Sequence, residues 1–355
     1  MITVTKPFLP PKKDYFKYID GIWERNHLTN MGPLANKLEM KLKEYLNINH
    51  LLFVTNGTIA LQIAIKALRL KGEIITTPFT YVATSSSIVW EGCTPVYVDI
   101  DKNSLNIDSS KIEAAITKKT TAIVATHVFG NPCDVETIKN IADRHNLKVI
   151  YDGAHAFGVK LKGKSIFEYG DISTCSTHAT KLFHTVEGGA IVFKDSSIFD
   201  KAKQLINFNL DSDGIPSGIG INAKLNEYQC AVGLTNLESI DEILTHRIML
   251  YKLYTELLSQ HVQLLKWDDN CSLNGSYMPI VFKNENEKLK VKRALDKSGI
   301  PSREYFSPSL NTIFKPKDSC PFSESVSSRI LCLPIHFYLT VEEVKFISLT
   351  ISESI

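Results

Sequence analysis

Short runs of consecutive apolar residues alternate along the chain with stretches whose apolar residues recur every three to four positions. Leu51-Leu52-Phe53-Val54 is one such run, and it stops at Thr55-Asn56-Gly57-Thr58. A helix-spaced set follows, carrying Ile59, Leu61, Ile63, Ala64, Ile65 and Leu68. Further short runs lie at Glu73 to Thr76, Pro95 to Val98, Ala122 to Ala125 and Val149 to Tyr151, with helical character between most of them, as in Asp134 to His145. Runs this short alternating with helices predict βαβ units and a mostly parallel sheet in an α/β fold. Lys37 to Tyr45, ahead of the first strand, also has helical spacing. Residues 1 to about 34 are rich in proline and aromatic side chains and show little periodicity, which predicts an arm lying over another part of the molecule.

Beyond Asp171 the rhythm changes. Ile172 to Ser176 and Gly189 to Phe193 read as two more strands, with Lys181 on the loop between them. Leu225 to about Leu258 reads as one long helix leading into a smaller part. That part has a strand at Met278 to Phe282, a helix at Glu287 to Ser298, a Pro/Ser-rich loop at Ser302 to Ser328 and a last helix at Val341 to Ile351. The expected division is a large domain with the arm over residues 1–235 and a small C-terminal domain over 236–355.

The chain has 355 residues, which suits two domains. Forty Lys and Arg against 38 Asp and Glu leave a net charge of +2, too balanced for a general nucleic-acid binder. The seven cysteines (Cys93, Cys133, Cys175, Cys230, Cys271, Cys320 and Cys332) form no C-x-x-C pair, so neither a disulfide framework nor a thiolate zinc site is expected. No apolar segment follows a basic start, and no run reaches the ~18 apolar residues that span a bilayer. The expectation is a soluble, cytoplasmic protein without metal, membrane or nucleic-acid partners.

Motif searching excludes a P-loop, a G-x-G-x-x-G turn, H-E-x-x-H and G-x-S-x-G. Three strand-end groups remain. Thr55-Asn56-Gly57-Thr58 lies between strand and helix, where free backbone N–H groups and the helix dipole favour an anion; a plain N-cap turn fits the same residues. Tyr151-Asp152-Gly153-Ala154-His155 closes an apolar strand with an acid, either a cap or a partner for a protonated ring nitrogen, and His155 could lie against a flat ring. Ser176-Thr177-His178-Ala179-Thr180-Lys181 precedes Glu187-Gly188-Gly189. Lys181 is either a surface loop residue or an amine that forms a Schiff base, with burial or cationic neighbours lowering its pKa. His184 reads as a loop or interface residue. An anion cradle, a ring-nitrogen carboxylate and a Schiff-base lysine, in this order on an α/β scaffold, match the needs of pyridoxal 5′-phosphate.

At these residues the chain resembles the fold-type I, pyridoxal-phosphate-dependent sugar aminotransferases of the DegT family. His178-Ala179-Thr180-Lys181 with Glu187-Gly188-Gly189 is similar to that family's lysine signature. Asn56-Gly57-Thr58, Pro78-Phe79-Thr80-Tyr81-Val82-Ala83-Thr84, His127-Val128-Phe129-Gly130-Asn131-Pro132 and Asp152 with Ala154-His155 follow in family order. The resemblance implies a seven-stranded, mostly parallel sheet with a smaller α+β domain. It implies Gly57, Thr58 and Ser176 on the cofactor phosphate, Tyr81 and His155 on the pyridine ring, Asp152 on its nitrogen, and Lys181 as the covalent attachment and general acid/base. It further implies a homodimer in which Asn222 reaches the neighbouring subunit's phosphate, with L-glutamate as amino donor.

The arm, through Lys6-Pro7-Phe8-Leu9-Pro10, Trp23-Glu24-Arg25-Asn26 and Leu28-Thr29-Asn30-Met31-Gly32-Pro33-Leu34, looks like transaminases acting on dTDP-4-keto-6-deoxy-D-glucose. These give dTDP-4-amino-4,6-dideoxy-D-glucose, a sugar of O-antigen (lipopolysaccharide) and antibiotic pathways. Amination at C3, another nucleotide keto-sugar, or a non-catalytic regulatory protein are the alternatives. A dehydratase relative would carry His where Lys181 stands. Gly153, where relatives often have Ala or Cys, is expected to matter little. Thr177 replaces a commoner Phe, Asn222 to Glu227 lacks the usual Tyr-Arg-Met core, and Arg303 is a candidate for diphosphate pairing.

Overall fold

A computed structural model of the chain describes residues 2–315 and 318–355. Residues 1, 316 and 317, which fall in the expected arm and in the stretch expected to be loop, lie outside the described residues. In chain order the first elements are α1 (Lys12–Arg25), α2 (Pro33–Leu46), β1 (His50–Val54), α3 (Gly57–Ala67), β2 (Glu73–Thr76), α4 (Val82–Trp90), β3 (Thr94–Tyr97), α5 (Ser109–Ile112), β4 (Thr120–Thr126), α6 (Val135–His145) and β5 (Lys148–Asp152). A small hairpin, β6 (Lys160–Leu161) and β7 (Lys164–Ser165), leads to β8 (Ile172–Ser176), β9 (Gly189–Phe193) and α7 (Ser196–Leu205). Two helices, α8 (Glu227–Glu238) and α9 (Ile240–Leu258), then run to β10 (Gln263–Leu264), β11 (Met278–Val281), α10 (Glu285–Lys297), α11 (Asn311–Phe314), α12 (Pro321–Ser328), β12 (Ile330–Leu333) and α13 (Val341–Ser352). Among the described residues no helix is long and apolar enough to cross a membrane.

The central sheet has seven strands in the order β1-β9-β8-β5-β4-β2-β3, and β9 alone runs against the others. Its strands read as unbroken apolar runs because both faces are covered. In β1, Leu51 and Phe53 enter one core while Leu52 and Val54 enter the other. In β5, Val149 and Tyr151 face one side and Ile150 the other. Each fully buried side chain of this size contributes roughly 1.5–3 kcal/mol. Polar side chains cap several helices: Asn56 accepts from the Ile59 N–H at 2.8 Å, and Thr340 with Glu343 forms a reciprocal capping box on α13.

A separate core gathers around the three-stranded sheet β10-β11-β12 and includes Leu295 of α10, Tyr254 of α9 and Ile347 of α13. Helix α9 joins the two cores. Its Ile240 and Ile243 belong to the large sheet's core, and Leu250, Tyr254 and Leu258 to the small one.

Three sequence expectations are corrected. The arm contains helix α1, whose stripe of Tyr15, Tyr18, Ile19 and Ile22 packs on the large core; aromatic residues supply the periodicity. The long helix from Leu225 is two helices, broken at Ser239, which follows α8 and precedes α9. The stretch read as loop from Ser302 to Ser328 holds α11 and α12, and Pro321 sits in the first turn of α12, where proline is tolerated. The first residues do lie over another part of the chain: Ile335 N–H donates to Val4 O, and Phe8 packs edge-on against Phe337.

Candidate active site

The strand register assembles the site. Val54 of β1 pairs with Gly189 of β9, which pairs with Ser176 of β8, and Asp152 of β5 pairs with Thr174 on one side and Thr126 on the other. The carboxyl ends of β1, β4, β5 and β8 therefore meet along one sheet edge, where open α/β sheets bind ligands. A cavity of about 620 Å³ opens there and is lined by Gly57, Thr58, Tyr81, Asp152, His155, Ser176 and Lys181. These are seven of the eight residues expected from the sequence to bind the cofactor or act in catalysis. Asn222 does not line it; that residue is exposed, and its backbone pairs with Asn207.

Glycine is required at two points of this edge. A Cβ on Gly189 would lie 2.6 Å from the Asn56 carbonyl carbon, so only glycine lets β9 approach the turn before α3. A Cβ on Gly153 would lie 2.7 Å from Phe167 Cε1 and 2.9 Å from Thr174 O, so the expectation that Gly153 matters little is corrected. At the start of α3, the amides of Gly57 and Thr58 belong to the first turn, whose N–H groups have no partner within the helix.

Asp152 is buried, and its Oδ2 accepts from Thr84 Oγ1 at 2.7 Å while Oδ1 accepts from Ala154 N–H at 3.1 Å. Thr80 bridges Thr84 and Thr126, each at 2.9 Å, and so steadies the hydroxyl that Asp152 uses. Burial raises the carboxyl pKa, against the lowering effect of these hydrogen bonds and of Lys181.

Lys181 Nζ donates to Tyr277 Oη at 3.0 Å. Burial pulls the amine's pKa down, but Tyr277, Asp152 and Tyr305 outweigh it and the net direction is up, which corrects the expected lowering. His155 is buried, and its ring is stacked nearly parallel to those of Phe129 and Phe306, at 11° and 6°. Its Nδ1 accepts from Phe129 N–H at 3.2 Å, and burial, then Lys181, holds its pKa well below the usual range, so the ring is neutral with its proton on Nε2. Tyr81, at the N-terminus of α4, keeps 58% of its surface exposed on the cavity wall.

Other singled-out residues lie elsewhere. His184 is buried, with Nε2 against Phe8 O at 2.8 Å and Asn236 packed on its ring, so it pins the arm. Thr177 is buried and bonds Thr185 at 2.7 Å across the lysine loop. Arg303 is exposed, pairs its backbone with Cys332 and does not line the cavity. All seven cysteines are free, and six are buried.

Sequence reading missed the wall facing the sheet edge, which is built by Tyr277, Tyr305 and Phe306. Their only local signal is aromatic residues flanking a strand and a proline. The role of Thr84 was also missed, although its spacing of four from Thr80 at a helix start was visible.

The buried acid, the amine and the free helix-start amides share one cavity, and this donor set suits pyridoxal phosphate. A cationic ring N–H would stabilise the Asp152 carboxylate, an anion would be stabilised by the amides of Gly57 and Thr58, and Lys181 Nζ lines the same cavity.

Comparison with known proteins agrees. The family model "DegT/DnrJ/EryC1/StrS aminotransferase family" matches residues 11–352. The chain is 39% identical to the dTDP-4-amino-4,6-dideoxy-D-glucose transaminase of Shigella dysenteriae, covering 99% of this chain and 98% of that one. It is 30% identical to the GDP-perosamine synthase of Escherichia coli O157:H7, again over 99% and 98%. The crystal structure of DesI with its TDP-sugar product superposes with a TM-score of 0.93 at 29% identity, covering 99% of this chain and 92% of that one. The seven-stranded α/β architecture, the residues gathered at its edge and these matches together place the chain in the DegT/DnrJ/EryC1/StrS aminotransferase family.

Proposed function

We propose that this aminotransferase converts dTDP-4-keto-6-deoxy-D-glucose to dTDP-4-amino-4,6-dideoxy-D-glucose, with L-glutamate as amino donor. Aminotransferases of the family depend on pyridoxal 5′-phosphate. The observation that carries the chemistry is the shared cavity of Asp152, Lys181 and the α3 N-terminus. The nucleotide sugar rests on the 39% identity to two transaminases of that name, from Shigella dysenteriae and Escherichia coli.

In this reading Gly57, Thr58 and Ser176 hold the cofactor phosphate. Tyr81 and His155 would flank its ring, Asp152 would meet the ring nitrogen, and Lys181 would be the attachment point. When bound, the cofactor supplies a carbonyl for amine exchange and a cationic ring that takes up the electron pair left by a departing Cα proton. The protein does the rest. Thr84 and the Ala154 amide orient Asp152 so that it favours the protonated ring. Lys181, once released, carries the proton between carbons as a neutral amine and an ammonium in turn. The neutral His155 presents a ring face without placing a second cation beside Lys181.

We propose further that the protein is a homodimer in which Asn222 serves the neighbouring subunit's site, and that the two domains divide near residue 235. Large apolar side chains are left exposed at Tyr81, Trp90, Val186, Ile219 and Ile221, which a partner subunit would cover in this reading. Sedimentation measures the assembly, and a monomer with full activity contradicts it.

The test is a panel of nucleotide keto-sugars, each incubated with glutamate and the loaded enzyme, with NMR of the products. Amination at C4 of the dTDP sugar is expected. Turnover of another keto-sugar only would overturn the substrate, and no reaction with any amino donor would overturn the activity.

A further inference from the structure

The base of the facing wall holds an unusual buried cation. Arg247 of α9 is 5% exposed, and its guanidinium turns to backbone carbonyls. Nε donates to Gly275 O at 3.0 Å and Nη2 to Ser276 O at 2.8 Å. Burial lowers its pKa to about 10, and Tyr277 opposes that shift. Burying a guanidinium is expensive, so a buried arginine that grips two consecutive carbonyls marks a segment held in place.

The residue after those carbonyls is Tyr277, whose Oη accepts from Lys181 Nζ. The same segment is gripped from the other side. Asn274 Nδ2 donates to His155 O at 2.9 Å and Phe157 O at 3.0 Å, and Asn274 Oδ1 accepts from Ser276 N–H at 3.0 Å. Gly275 has φ +60°, and a Cβ there would lie 2.6 Å from Arg247 O, so the segment also lies against the backbone of α9. The Tyr277 ring sits 4.6 Å from the His155 ring.

We propose that Tyr277 is a catalytic residue that aims and stabilises the proton-carrying amine of Lys181, and that Arg247 is the positioning residue that fixes Tyr277 through the Gly275 and Ser276 carbonyls. This rests on the reading of Lys181 as the amine that moves the substrate proton. In that step the neutral amine takes the Cα proton. The C–H bond breaks, its electron pair stays with the substrate, and a third N–H bond forms on Nζ. The phenol oxygen accepts one Nζ–H before and after the transfer and keeps its own proton. It therefore favours the ammonium through a charge-assisted bond and leaves the amine's remaining position free for substrate. The other titratable groups near Lys181 are Asp152 at the end of β5, Cys175 on β8, His155 and Tyr305; Asp152 and Tyr305 act on the amine in the same direction as Tyr277.

The test uses loaded Tyr277→Phe, Arg247→Lys and the double variant. Three quantities are read: the single-turnover rate with protiated and 2-deuterated glutamate, the KM for glutamate, and the pH midpoint of the visible absorbance without substrate. For Tyr277→Phe the expected result is retained cofactor, a rate lower by about 10- to 100-fold, a larger isotope effect and a shifted midpoint, with KM within about threefold. Arg247→Lys should move rate and isotope effect the same way by a smaller factor, and the double variant should be within about twofold of Tyr277→Phe, because both act on one contact. A Tyr277→Phe rate within about twofold of wild type, with unchanged isotope effect and midpoint, would overturn the catalytic role. Losses in Arg247→Lys that multiply with those of Tyr277→Phe, or that appear only as lower thermal stability, would overturn the positioning role. A wild type that responds to no amino donor removes the parent reading and this one together.

Discussion

The two walls of the cavity are built by different means. On the sheet side, Gly57, Asp152, Ser176 and Lys181 each stand at or just beyond the end of a strand, and the register of β1, β9, β8 and β5 brings them together. On the facing side, Tyr277, Tyr305 and Phe306 come from segments ordered by packing: Arg247 and Asn274 grip the first, and a buried aromatic cluster with Phe79 and Phe129 holds Phe306. The first wall carries the charges; the second carries shape and, through Tyr277, a hydrogen bond to Lys181. Damage to the sheet side should therefore abolish both half-reactions, while damage at Tyr305 should affect mainly the larger, sugar substrate.

The largest expected effect is at Lys181. Lys181→Ala should lower the glutamate half-reaction by at least about a thousandfold, read by rapid-mixing absorbance, and an active variant would break the division of roles. Asp152→Asn should follow, with kcat lower by about 100-fold or more and thermal stability kept or raised, since a buried charge with a raised pKa is removed. Gly153→Ala should destabilise the fold by about 1–3 kcal/mol in denaturant unfolding, because the new Cβ meets Phe167 and a strand carbonyl.

On the opposite wall, Tyr305→Ala should raise KM for the nucleotide sugar by about tenfold and leave the glutamate half-reaction within about twofold, a split that measures how separate the walls are.

An effect confined to acid pH concerns His127, which stacks on Tyr151 of β5 at 4.6 Å and is held neutral by burial, with its pKa down at about 3. The unfolded chain protonates this ring near pH 6.5 and the folded one does not. Stability is therefore full above that pH and is lost as pH falls toward 3. His127→Asn should reduce the slope of unfolding free energy against pH in that window by about 1.4 kcal/mol per unit.

The sheet wall was legible because each of its residues adjoins an apolar run whose length and flanking small residues mark a strand end. Two-sided burial made those runs continuous and easy to find. The lysine loop was equally visible, since Gly188 and Gly189 follow it at a fixed distance. What stayed hidden had no local signature. Tyr277 lies beside Lys181 only because α9 and the segment after Asn274 meet in space, 96 positions along the chain. The break at Ser239 follows no proline or glycine, and the periodicity of α1 is carried by tyrosines. The need for glycine at 153 depends on Phe167, fourteen residues away, which no reading of the turn itself reveals.

The central claim is that Lys181 holds the cofactor at the sheet edge. Borohydride reduction of the purified, loaded protein followed by peptide mass mapping tests it most directly. A single pyridoxyl adduct on Lys181 is the predicted result; an adduct on another lysine, with Lys181 unmodified, would contradict it.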